Sequence, residues 1–357
     1  MVRRRGWITR EKFLDLLGAV NLIPGPNSTE MAIHIGYLRA GWAGLLVAGV
    51  CFIVPAMAIV TAIAWAYVQF GSLPEFVGLL YGIKPVVIAI VAQALWGLGK
   101  TAVKTHFLAA IGILATVASF IGVDELSLLL AAGMLAALRG GVVQSGVWHL
   151  RPILILSVIV CGLLALIYFA SGITGPAEAK FGLSSLFFYF VKVGSVLYGS
   201  GYVLLAFLQG DLVGRWHWLT ATQLLDATAV GQVTPGPVFT TATFIGYLLG
   251  GLPGAVVATV GIFLPSFVFV ALSGPLIPRL RQSPIAGGFL DGVNVASLAL
   301  MAVVTWHLGR AAILDSPTAL LAVVSAILLI RFRVNSLWLI LGGAMLGSIA
   351  SAVPNLL

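Results

Sequence analysis

The segment Asn21-Leu-Ile-Pro-Gly-Pro-Asn27 recurs about 210 residues further on as Gln232-Val-Thr-Pro-Gly-Pro-Val238, each time inside a long apolar stretch. A Pro-Gly-Pro triplet cannot continue an α-helix, because each proline lacks an N–H and clashes with the preceding turn, while glycine loosens the backbone. The helix must break at both places. Freed backbone groups at membrane depth are tolerated only against protein or beside a water-filled cavity. Paired interruptions at corresponding places of two halves therefore point to the binding site of a duplicated membrane carrier.

The membrane setting follows from composition. The 357 residues are 60% hydrophobic and 8% charged, with mean hydropathy +1.11, the profile of a polytopic helical membrane protein. Apolar segments run roughly over 13–38, 43–70, 76–99, 106–122, 125–138, 152–172, 184–210, 219–248, 251–277, 285–309, 316–331 and 335–353. The charged start, Met1-Val-Arg-Arg-Arg, lacks the short apolar run of a cleavable signal peptide. A net charge of +8 would suggest nucleic acid in a soluble protein. Here the basic residues mostly mark the ends of apolar segments, so they carry topology instead. Cys51 and Cys161 both lie in apolar runs, where thiols act as small hydrophobes.

The duplication reaches beyond the triplets. Trp7, Thr9 and Asp15 align with Trp218, Thr220 and Asp226; after one gap, Tyr37, Gly41, Gly44 and Pro55 align with Tyr247, Gly251, Gly254 and Pro265. Gly82 then matches Gly292. The expected organisation is a first repeat over 1–150, a linker transmembrane segment within 151–183, and a second repeat over 184–357. The loop near 71–75 has no basic residue and that at 124–125 is Asp-Glu, whereas their counterparts carry Arg279, Arg281, Arg331 and Arg333. Because Lys and Arg mark the cytoplasmic side, this contrast predicts halves of opposite orientation, with 152–172 as the inverting span. Lys100 and Arg310, in equivalent loops, do not follow the contrast. The fold class expected is an all-α polytopic membrane protein of two homologous halves, an inverted-topology repeat with broken helices. The second triplet is preceded by a further interrupted segment, 187–208, containing Gly199-Ser-Gly201, and the first copy begins just after where its equivalent would end. The chain is thus expected to lack that first segment.

Leu22-Ile-Pro-Gly-Pro-Asn-Ser-Thr29 with Ile35-Gly-Tyr37, its second-half partner, and Tyr198-Gly-Ser-Gly-Tyr-Val-Leu-Leu-Ala-Phe-Leu208 together resemble the chromate ion transporter family, in its bidomain long-chain form, over nearly the whole chain. The resemblance implies a multi-pass protein of the bacterial or archaeal inner membrane. It implies export of chromate, with sulfate as structural analogue, driven by the membrane potential or the proton gradient. The family places a Gly-Gly-Pro-type break in the segment missing here. Composition and spacing alone reach only a secondary carrier of an anion or small solute. A carrier of sulfate or another small anion is the alternative, and an intramembrane enzyme is less well supported because no nucleophile with a base is present.

A dianion entering the membrane must replace its water, and helix N-termini with freed N–H groups offer donors without a full charge. Pro24, Gly25 and Pro26 place Asn27, Ser28 and Thr29 at one such terminus; Pro235, Gly236 and Pro237 place Thr240, Thr241 and Thr243 at the other. Asn21 and Gln232 form the matching amide pair before each triplet. Gly199 and Gly201 mark a third break. These polar groups either line a site or merely cap broken backbone. Charges within apolar segments are costly and commonly functional. Lys84, whose repeat mate is Asn294, and Lys192 are anion-binding candidates, against simple snorkelling of their long stems. Asp15, Glu30 and Asp226 are proton-coupling candidates; His34 shares a helix face with Glu30, which Thr241 replaces in the second copy. No metal-ligand spacing and no Walker pattern occurs, so no cofactor is called for. Expected partners are the oxyanion and membrane lipid, not nucleic acid, with homodimerisation left open.

Overall fold

The computed structural model describes residues 7–71, 73–145, 181–198, 201–281 and 283–352. The expected inverting span at 152–172 and Gly199 lie outside the described residues. Every regular element within them is helical. In chain order these are α1 (Arg10–Val20), α2 (Asn27–Phe70), α3 (Pro74–Ala102), α4 (His106–Phe120) and α5 (Glu125–Ser145). Then come α6 (Leu183–Val196), α7 (Leu204–Phe207), α8 (Ala221–Val233) and α9 (Thr241–Arg281), followed by α10 (Pro284–Ala312), α11 (Ser316–Phe332) and α12 (Ser336–Ala352). A 3₁₀ turn, Gly201–Val203, precedes α7, and a π-helical stretch, Leu208–Arg215, follows it.

The repeat read from the sequence reappears element by element, α1 to α5 matching α8 to α12. Matching starts have matching causes. Pro74 and Pro284 open α3 and α10 at the first turn, where a missing N–H costs nothing. Thr105 caps α4 through Leu108 N–H at 3.2 Å, and Asp315 caps α11 through Thr318 N–H at 2.9 Å.

α2 and α9 are both hairpins. At Ala40-Gly41 the backbone leaves helical geometry, with Gly41 at φ +57°, and Gly250-Gly251 does the same with Gly251 at φ +60°. Only glycine adopts that left-handed region without strain. The chain then folds back on itself: Gly36 lies against Gly44 and Ala48, Gly246 against Gly254 and Ala258. Thr243 and Thr259 hydrogen-bond across the second hairpin at 2.8 Å. Each triplet thus sits between a short helix and the first arm of a hairpin. The longer arms carry equivalent exposed stripes, Trp42, Leu46, Val50 and Val54 in α2 and Leu252, Val256, Val260 and Leu264 in α9. Apolar side chains pointing outward in this number suit lipid, not water.

The two repeats exchange their helices. α3 packs on α11 and α12, while α10 packs on α4 and α5. Small residues allow the close approach: Gly78 and Gly82 lie on Gly343 and Gly347 of α12, and Gly288 and Gly292 on Ala132 and Ala136 of α5. Two polar contacts bind the exchange at opposite ends. Lys104, just past the end of α3, pairs with Asp291 near the start of α10 at 2.7 Å. Tyr81, near the start of α3, donates to Asp315 beyond the end of α10 at 2.6 Å. That bond, with the Thr318 N–H, holds the Asp315 carboxyl below the usual carboxylate range. The C-terminal end of α3 therefore meets the N-terminal end of α10, and the reverse. Equivalent helices run antiparallel, which is the inverted repeat expected from the loop charges.

Candidate functional site

At the first break the Gly25 N–H donates to Leu197 C=O at 2.7 Å, so the Gly-Ser-Gly segment supplies the acceptor that the broken helix no longer can. Pro26, in extended conformation, caps α2, and its carbonyl takes the Thr29 and Glu30 N–H groups. The Asn27 amide donates to Asn21 Oδ1 at 2.7 Å, joining the two sides of the break. Asn21 and Ser28 are exposed, while Thr29 and Glu30 are fully buried.

Asn21 and Asn27 open onto a cavity of about 460 Å³. At about 30 Å³ per molecule, it holds the volume of roughly 15 waters. Tyr198 and Val203, flanking the Gly-Ser-Gly segment, form one wall; Asn294 and Ser297 of α10 form another, and the Lys104–Asp291 pair closes the edge. The Ser297 hydroxyl is buried and has no hydrogen-bond partner. The cavity thus collects amides, hydroxyls and one ammonium around a helix N-terminus, a donor-rich lining for an anion.

At the second break Pro235 and Gly236 are exposed and Pro237 is buried. Thr240 donates to Pro237 C=O at 2.9 Å and Thr241 to Val238 C=O at 2.8 Å, both hydroxyls capping the freed backbone. Thr234 bonds Val230 C=O, and Gly236 lies against Ala56 of α2. Gly201 packs against Val238 and Phe239, so one segment, 197–203, touches both breaks. Gln232, near the end of α8, is half-buried.

Both lysine candidates are engaged by carboxylates. Lys84 lies 3.1 Å from Asp226, which also accepts from the Tyr67 hydroxyl at 2.9 Å, tying α3, α8 and α2 together. Its repeat mate Asn294 lines the cavity, so equivalent positions carry a neutral donor at the cavity and a cation paired across helices. Lys192 pairs with Asp211 at 3.4 Å, in a network continuing through Arg215 to Asp124. Asp15 lies on α1, and its side chain is outside the described residues. Lys104, Asp291, Ser297 and Tyr198 were not singled out by sequence reasoning. Asp291 in an apolar segment, and Asn294 as the mate of Lys84, were the available signals.

The chromate transporter family model matches residues 1–164 and 184–348, taking in both repeats. A "Chromate transport protein" of Cupriavidus metallidurans is 34% identical over 361 residues, covering 98% of this chain and 86% of that protein. A "Probable chromate transport protein" of Synechococcus elongatus is 29% identical over 329 residues, covering 92% and 82%. "Uncharacterized transporter YwrA" of Bacillus subtilis is 27% identical over 168 residues, 46% of this chain but 94% of that protein, a length close to one repeat. No solved structure matches. With two helix breaks, an inverted repeat and a family match over both halves, this chain belongs to the chromate transporter family, a family of carriers and not of enzymes.

Proposed function

We propose that this chain exports chromate from the cytoplasm across a bacterial inner membrane, driven by the membrane potential or the proton gradient. The observation that carries this reading is the cavity of about 460 Å³ at the first break, with Asn27, Tyr198, Asn294, Ser297 and Lys104 around one helix N-terminus. A tetrahedral dianion placed there exchanges its water for amide and hydroxyl donors. The Ser297 hydroxyl gains the partner it lacks. Lys104, whose side chain is 58% exposed, draws the anion in and can turn from Asp291 towards it. Sulfate offers the same oxygens in the same geometry, so it is the competitor to test.

The measurement is uptake of labelled chromate into everted vesicles, with and without sulfate. A hydrogen bond to a charged group contributes about 1.5–3 kcal/mol, so Asn294→Ala and Ser297→Ala should each weaken apparent affinity about tenfold or more. Asn27→Ala acts in the same direction. Unchanged uptake in all three variants would place the oxyanion elsewhere. Uptake of sulfate but not chromate would make the chain a sulfate carrier.

A further inference from the structure

Four buried oxygens beside the first break have no hydrogen-bond partner: both carboxylate oxygens of Glu30, the Thr29 hydroxyl and the Ser266 hydroxyl of α9. Glu30 and Ser266 are fully buried, and neither lines the cavity. They meet in the space left by one glycine. Gly25 stands at φ +136°, and a Cβ there would run into both Glu30 Oε1 and Ser266 Oγ. No ion pair to Glu30 occurs among the described residues.

A buried carboxylate without a partner is costly unless it is neutralised. A proton would do this, and the neighbouring hydroxyl suits both states. A small rotation would let a protonated Glu30 donate to Ser266 Oγ, or an ionised Glu30 accept from the same hydroxyl. Glu30 follows Asn27 by three residues, so the two are neighbours on one helix face while Asn27 lines the cavity. Tyr198, also in the cavity wall, is close enough to interact electrostatically with Glu30. An ionised Glu30 therefore repels a dianion in the cavity, and a protonated one does not.

We propose that Glu30 is the proton site of this carrier, and that proton and oxyanion bind together. The inference rests on the reading that the oxyanion occupies the cavity at the first break. Carried with one proton, a dianion moves a single negative charge outward, so the membrane potential drives export and an acid exterior opposes it. Among the described residues, the titratable and charged groups nearest Glu30 and the cavity are His34 on its own helix, Tyr198, and the Lys104–Asp291 pair; α9 faces Glu30 with Ser266.

The test is binding of sulfate to the purified full chain across pH, since sulfate stays a dianion through the neutral range and does not itself titrate. Above the titration of Glu30, the wild-type dissociation constant should rise tenfold per pH unit, the signature of one linked proton. Glu30→Gln, which keeps the shape of the protonated form, should bind with no such slope. Glu30→Asp should restore it, and His34→Gln should leave it in place. A slope retained in Glu30→Gln, or lost in His34→Gln, overturns the proposal. Absence of sulfate and chromate binding by the wild-type chain at any pH would instead refute the cavity reading beneath it.

Discussion

Lys84 and Asp226 lie 3.1 Å apart on helices of different repeats, with only 2% of the aspartate side chain exposed. Taking two charges out of water is expensive, and each tolerates burial only because the other is there. Lys84→Met or Asp226→Asn alone should cost about 3–5 kcal/mol, while the double variant should recover most of the loss. Thermal unfolding in detergent, followed by size-exclusion chromatography, checks this; a double variant no better than the singles would mean the pair is not the coupling unit. At this scale the sequence marked Lys84 and Asp226 as costly charges but not as each other's partners. Lys84 was legible as a costly intramembrane cation, yet whether it meets an anion or Asp226 depends on α8 and α3 being brought together.

The helices pack through glycines whose absent side chains are replaced by backbone of the other repeat. A Cβ at Gly82 would strike the Gly343 carbonyl, and one at Gly292 the Ala132 carbonyl, whereas Gly342 faces open space. Gly82→Ala and Gly292→Ala should each destabilise by about 1–3 kcal/mol through overpacking. Gly342→Ala should instead be neutral or gain up to about 1 kcal/mol from helix propensity. Melting temperatures of the three variants compared side by side decide it, and equal values would remove close packing as the cause. The triplets were readable as breaks, because proline and glycine act through local backbone geometry; the hairpin turns at Gly41 and Gly251 entered the sequence reading only as matching repeat positions. The π-helical stretch after α7 was not, since nothing in Leu208–Arg215 forbids an ordinary helix.

For the whole molecule, the exchange of α3 and α10 between repeats means that each half builds much of its core against the other. α3 has its main partners in α11 and α12, and α10 in α4 and α5. Residues 1–150 and 184–357 expressed separately should each fail to accumulate as folded protein, and their co-expression should restore a co-purifying pair. Folded, monodisperse halves on their own would show that the exchange is not required for stability.

Duplication, helix breaks and membrane character were determined by the sequence itself, because they rest on local rules: proline and glycine geometry, the period and length of apolar runs, and the register of one repeat on the other. The charge contrast between equivalent loops also carried the inversion, later seen in the antiparallel meeting of α3 and α10. What only the tertiary structure decided is that the two breaks differ. One lies buried beside a cavity that borrows Asn294, Ser297 and the Lys104–Asp291 pair from distant segments, while the other leaves Pro235 and Gly236 exposed and has its freed carbonyls taken by Thr240 and Thr241. Nearly identical triplets cannot encode that difference, because it depends on which side chains the folded repeats bring to each break.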